Sequence, residues 1–263
     1  MIVTAPLAAL LEILFPIAAA IWFIRWTGVH PPRIRWLVVF VGAAAFLLSQ
    51  VLHIPFLSAV QPLVANSLPA NLRPVGLAVF LGLAAGLFEE TARVVAYVIL
   101  KDRARSWNGG VALGIGHGGA ESAIFVGLTV LATSIYMLYL RGNPQLIQGN
   151  AEAQIQVTAY WATAWYIPLV GLVERVMTFT IQIGLSVIVL QAFLRHNALW
   201  YAGAVLFHAL IDALAVIGAE SGWGIGIIEG IVLVAALASL WIIRALRPRE
   251  ESAPGPGVTA EGE

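Results

Sequence analysis

Seven apolar runs separated by short polar stretches organise this chain, at about 6–24, 36–57, 75–100, 110–139, 160–194, 198–217 and 223–243. Each approaches the roughly 20 residues that a helix needs to cross the hydrocarbon of a bilayer. The pattern predicts an all-α, polytopic membrane bundle of seven spanning helices over residues 1–243. A disordered tail is expected over 244–263, where Pro248, Pro254 and Pro256 lie among Gly, Ser and Glu. The fourth and fifth runs are overlong, which predicts tilt or a start outside the hydrocarbon. The first has neither a basic leader nor a small-residue cleavage site, so it is expected to remain as a helix rather than be removed as a signal peptide.

Polar residues interrupt these runs at particular points. The third carries Glu89-Glu90-Thr91-Ala92-Arg93 at its centre, the fourth His117 and Glu121, and the sixth His208 and Asp212. A charge deep in hydrocarbon costs at least about 2.5–3.5 kcal/mol, so such groups face partners or a wet cavity and mark a working site. At a rise of 1.5 Å per residue, Glu89 and Arg93 lie roughly 18 and 12 Å from the loop at Lys101. His117 and Glu121 lie roughly 13 and 19 Å from Asn108, and His208 and Asp212 roughly 13 and 19 Å from Leu199. Three helices thus bring titratable groups to one layer.

Composition supports the membrane reading. The chain is 60% hydrophobic and 11% charged, with a mean hydropathy of +0.89, whereas a soluble domain is about a quarter charged. A net charge of +0 offers no footprint for nucleic acid. The absence of cysteine excludes disulfides, thiolate metal sites and a Cys nucleophile. Arg25, Arg33, Arg35, Lys101, Arg103, Arg105, Arg195, Arg244, Arg247 and Arg249 fall in odd loops or after the last run, while only Arg73 and Arg141 fall in even loops. By the positive-inside rule the N-terminus is expected outside and the C-terminus in the cytoplasm.

Spacing sorts the polar groups into faces. His117 with Glu121, and His208 with Asp212, are i,i+4 pairs, and Arg93 can reach either Glu89 or Glu90. The expected arrangement has one Glu neutralised by Arg93 and the other turned toward the two histidines. Glu121 and Asp212 either orient those histidines or act directly. Six glycines around His117 (Gly109, Gly110, Gly114, Gly116, Gly118 and Gly119) serve close helix packing, or else mark a loosened helix where a peptide could pair with freed backbone. Gly82 and Gly86 read as packing. Glu174 and Arg175, adjacent in the fifth run and nearer the outer face, read as a structural pair or a substrate entrance. Glu12, His53 and Glu229 receive no role.

The ordered set EExxR, Gly116-His117-Gly118-Gly119-Ala120-Glu121 and His208-Ala-Leu-Ile-Asp212, spanning about residues 75–217, resembles the YhfC-like glutamic-type intramembrane proteases. These resemble in turn the wider group of CAAX prenyl endopeptidases and bacteriocin-processing enzymes. The resemblance implies a multi-pass protease of a bacterial or archaeal plasma membrane, acting on membrane-embedded or membrane-associated peptides. Carried over by position, Glu89 is the base and His117 its partner on a water, Glu90 pairs with Arg93, and His208 with Asp212 steadies the oxyanion. The CAAX pattern has one more residue between the acids and the Arg, which leaves Glu89 and Glu90 both as candidate bases. Asp212 stands where those enzymes have Asn, and Gln182 where the YhfC-like pattern commonly has His, so no role is assigned to Gln182.

The expected reaction is hydrolysis of a peptide bond by an activated water, with catalytic Glu89, Glu90, His117, His208 and Asp212, supported by Arg93, Glu121, Glu174 and Arg175. It requires no cofactor. The alternative is a zinc form with His117, His208 and Glu89 as ligands, since two imidazoles and a carboxylate are a recognised zinc set. A proton-coupled transporter using the same buried groups is the rival from another class.

Overall fold

A computed structural model describes residues 1–27 and 32–248. Among these residues no strand occurs. The helices are α1 (Thr4–Trp26), α2 (Pro32–Ser67), α3 (Arg73–Leu100), α4 (Trp107–Ala120), α5 (Leu128–Gly142), α6 (Ala151–Ala162), α7 (Ile167–Leu194), α8 (Leu199–Glu220) and α9 (Ile225–Ala245). A π-helical stretch, Glu121–Gly127, joins α4 to α5. With α4 and α5 counted as one continuous rod, seven helical segments among the described residues are long and apolar enough to cross a membrane.

The bundle has the inverted surface of a membrane protein. Leu48, Val51 and Ile99 are exposed by 64%, 65% and 66%, while Glu90, Arg93 and His117 are completely enclosed. Satisfying buried polar groups inside the bundle and turning aliphatic side chains outward is what hydrocarbon solvent demands. Arg247 packs over Trp26 and Trp107, and Arg195 over Trp200, so the ends of α1, α7 and α9 and the starts of α4 and α8 share one aromatic and basic rim.

Three corrections to the sequence reading concern boundaries. Arg33 and Arg35 stand in the first turns of α2 rather than in a loop. The fifth run is broken at 163–166: residues 160–162 end the separate helix α6, and α7 starts afresh at Ile167, with Pro168 in its first turn. Pro suits that place because its missing N–H has no intrahelical partner there. Arg244 and Ala245, assigned to the tail, belong to α9. The part of the expected disordered tail from Arg249 onward lies outside the described residues.

Glycine decides how the core closes. A Cβ on Gly114 would stand 2.6 Å from Ile183 Cα, and one on Gly118 2.8 Å from Gln182 Cβ. On its other side α4 meets α2, where Gly116 lies against the Val39 carbonyl. Every residue of α4 from Gly109 to Ala120 is therefore buried, and the packing reading of these glycines accounts for the helix up to Ala120. Gly82 and Gly86 seat α3 on α8 in the same way: a Cβ on Gly86 would lie 2.7 Å from the Val205 carbonyl oxygen. Tyr97 donates to the Ser186 carbonyl at 2.8 Å and ties α3 to α7.

Because that oxygen belongs to backbone and cannot swing aside, Gly86→Leu is expected to push α8 away from α3. The expected cost is about 1–3 kcal/mol, checked as a fall in the thermal unfolding midpoint of the detergent-solubilised protein. Gly203→Ala, with open space around its Cβ, is the control expected to leave the midpoint in place.

Candidate active site

Helix α3 turns its two adjacent acids in different directions, about 100° apart around the axis. Glu89 accepts from Gln50 Nε2 at 3.0 Å and meets His117 Nε2 at 3.1 Å. Glu90 is fully enclosed and paired with Arg93 one turn along. His208, from α8, contacts both acids: its Nδ1 lies 2.7 Å from Glu90 Oε1, and its Nε2 3.9 Å from Glu89 Oε2. The carboxylate on Nδ1 makes that nitrogen the donor, which aims Nε2 at Glu89 and at Asp212 Oδ2, 3.5 Å away. Thus the third, fourth and sixth spans do meet at one place, with α2 contributing Gln50.

The polar network continues through α7. Arg93 also donates to Gln182 Oε1, and Gln182 donates through Nε2 to Glu121 Oε2 at 2.6 Å. Glu121 receives Arg175 on its other oxygen at 3.1 Å, and Arg175 further pairs with Glu174. One chain of contacts therefore runs from Glu90 to Glu174 across three helical elements.

A cavity of about 380 Å³ adjoins this network, lined among others by Glu89, Glu121, Glu174, Arg175, His208 and Asp212. His117 and Glu90 are not on its wall. His117 is enclosed behind Glu89, edge-on to Phe46 at 5.2 Å between ring centroids. This differs from the expectation that His117 shares the water with Glu89: the structure lets it hold the Glu89 carboxylate, while His208 and Asp212 face the space opposite.

Glu121 also departs from expectation. Glu121 N–H still bonds the His117 carbonyl, so the pair keeps its α register, and the π-helical stretch begins only at Glu121. Its carboxylate goes to Gln182 and Arg175 on α7 instead of to His117. Glu174 and Arg175, although adjacent, are in contact because the long Arg side chain reaches back to its neighbour. Single-turn π segments inside α-helices recur at functional sites. Gln50 and Gln182 are the two site residues that sequence reasoning left out. The available signal was an amide inside an apolar run, which must also find a partner in the absence of water.

The family described as YhfC intramembrane metalloprotease matches residues 11–238. The chain belongs to that family. It is also 28% identical over 266 residues to the uncharacterized membrane protein YhfC of Bacillus subtilis (strain 168), covering 94% of this chain and 96% of that protein. No solved structure matches. The resemblance seen in the EExxR, His117 and His208 motifs thus holds for nearly the whole chain, and the protein is a multi-pass membrane protein.

The family's description implies a metal, and the donors can be tested against one. Glu89 Oε2 lies 3.1 Å from His117 Nε2 and 3.9 Å from His208 Nε2. Donor atoms around a tetrahedral zinc with bonds near 2.0 Å stand about 3.3 Å apart. Glu90 on His208 Nδ1 supplies the carboxylate–histidine support usual for a metal-binding imidazole. Among the described residues no three His, Asp or Glu side chains already close on one point. By residue type, and by the two separations from Glu89, His117, His208 and Glu89 are the candidates to hold zinc.

Proposed function

We propose that the protein is an intramembrane endopeptidase in which Glu89 activates a water for attack on a peptide carbonyl held in the cavity. The observation that carries this reading is the position of Glu89. It is the acid of the pair that reaches the cavity, it is held from behind by Gln50 and His117, and His208 faces it across open space. Glu90, locked to Arg93, is not free to take a proton from a substrate water.

In the first step the water oxygen bonds to the carbonyl carbon while Glu89 takes the proton. The carbonyl becomes an oxyanion, which accepts a hydrogen bond from His208 Nε2. For that step His208 is the imidazolium, donating Nδ1–H to Glu90 and presenting Nε2–H to the substrate, with Asp212 orienting the ring. In the second step the C–N bond breaks and the proton held on Glu89 passes to the departing amine. Positioned acid–base groups of this kind contribute about 10²–10⁴-fold, and a fixed oxyanion donor about 10²–10³-fold. Were zinc held by His117, His208 and Glu89 instead, it would supply the Lewis acidity and favour hydroxide at the attacking water, with Glu89 and His208 Nε2 then serving as ligands rather than as base and donor.

The test is cleavage of membrane-spanning peptides by the purified protein in liposomes, with metal measured in the same preparation. Cleavage is expected. Turnover that a chelator abolishes and zinc restores would make His117, His208 and Glu89 ligands of a metal. Turnover that persists in protein shown to be metal-free would assign the chemistry to Glu89 and the histidines alone. Intact peptides under every metal condition would overturn the protease reading.

A further inference from the structure

His53, on α2, takes no part in the reaction described above, yet it lines the catalytic cavity. It is only 6% exposed, and its Nε2 is buried with no hydrogen-bond partner among the described residues. The ring stacks on Phe88 of α3, with centroids 5.1 Å and planes 22° apart. Phe88 immediately precedes Glu89, so the imidazole is fixed against the neighbour of the base. A buried polar atom without a partner costs stability. For packing alone, a phenyl ring would serve at least as well.

The place of His53 along α2 sets what it can reach. Gln50, one turn earlier, donates to Glu89 at 3.0 Å and so marks the level of the base. His53 lies three residues on, roughly 4.5 Å at 1.5 Å per residue. An extended peptide advances about 3.3 Å per residue, so the offset corresponds to one or two substrate residues. Apart from Glu89 and His53, the lining from α2 and α3 is apolar, made of Leu57, Leu81 and Ala85. A peptide opened for hydrolysis within the membrane has N–H and C=O groups freed from its own helix, and each needs a partner there.

We infer that His53 Nε2 makes a hydrogen bond to the substrate backbone one or two residues from the scissile bond, holding an extended peptide along the α2–α3 wall. The inference rests on the proteolysis proposed above. Glu89 is engaged with the attacking water, which leaves His53 as the polar group of this wall for the backbone. A neutral imidazole serves a backbone N–H or C=O equally well. Because the ring is already stacked in place, it loses little freedom when the peptide arrives.

The test uses the full chain in liposomes and membrane-spanning peptides in which single amides, up to three residues to either side of the cleaved bond, are replaced by esters. An ester lacks the N–H, and its carbonyl is a weaker acceptor. Cleavage at the original bond is followed by mass spectrometry, and the ratio of kcat/KM for amide and ester peptides is read within each protein, so that any loss of folded enzyme cancels. In the wild type, one ester at one or two residues from the bond is expected to lower kcat/KM about tenfold. His53→Phe keeps the stack on Phe88 and removes the orphaned nitrogen. It is expected to match or exceed the wild-type unfolding midpoint, to cleave the all-amide peptide about tenfold less well, and to lose almost nothing more with that ester. His53→Gln is expected to restore part of both the activity and the ester sensitivity. Ester losses of the same size in wild type and His53→Phe at every position overturn the contact and leave the protease reading standing. A His53→Phe protein that cleaves as well as the wild type also overturns it. Failure of the wild type to cleave any peptide overturns both.

Discussion

Glu89→Gln is expected to lower kcat for peptide cleavage by about 10³-fold or more while leaving the unfolding midpoint close to that of the wild type. The substitution keeps the shape of the side chain. An amide in place of the carboxylate can still contact Gln50 and His117, whose donors lie 3.0 and 3.1 Å from its oxygens. It cannot accept the proton of an attacking water. Glu90→Gln separates the two acids of the pair. Glu90 is off the cavity wall and bound to Arg93 and His208, so its amide variant is expected to lose stability first and activity through misplacement of His208. His117→Ala is expected to fall between them, since it frees the Glu89 carboxylate without removing it. The measurement is steady-state cleavage of one membrane-spanning peptide, paired with thermal unfolding of each variant. Near wild-type turnover by Glu89→Gln would sink the assignment of Glu89 as base.

How far the sequence reveals this arrangement follows from the solvent. In lipid each backbone group must be paired within its own helix, so run length alone locates the spans, and all seven lie where the apolar runs do. A charged group in hydrocarbon is costly enough to stand out, which made Glu89, Glu90, Arg93, His117 and His208 visible as a set. Other features were less legible. Gln50 and Gln182 carry no charge and sit among apolar neighbours, yet they hold Glu89 and link Arg93 to Glu121. The π-helical stretch has no marked sequence signal, and i,i+4 spacing alone could not show that Glu121 bonds Gln182 and Arg175 on α7 rather than His117. The break before α7 was hidden because Thr163 to Tyr166 are as apolar and aromatic as the helix that follows, although Pro168 marked the start. Which acid of the pair faces the cavity depends on how α3 is rotated against α8, which is set by Gly82 and Gly86 rather than by the acids themselves.

Arg93→Met is expected to destabilise the bundle by about 3–5 kcal/mol, the usual cost of removing one partner from a buried ion pair. Arg93 is fully enclosed and touches Glu90 on its own helix and Gln182 on α7. Without it Glu90 keeps only His208, and its Oε2 already has no hydrogen-bond partner. Gln182 in turn loses the donor to its oxygen while still bound to Glu121. A hydrophobic side chain of similar length fills the space, so the loss measures the stranded charge rather than a cavity. Adding Glu90→Gln to Arg93→Met removes that charge and is expected to recover most of the loss, because replacing a whole buried pair is often close to neutral. The coupling between the two positions, read from a double-mutant cycle of unfolding in mixed micelles, is expected to be at least about 1–3 kcal/mol. The double variant is expected to remain inactive even when folded, since Glu90 is the group that fixes His208 Nδ1 and aims its other nitrogen at the cavity. Additive losses from the two substitutions would instead mean that Arg93 serves Gln182 and α7, and that Glu90 is held by His208 alone.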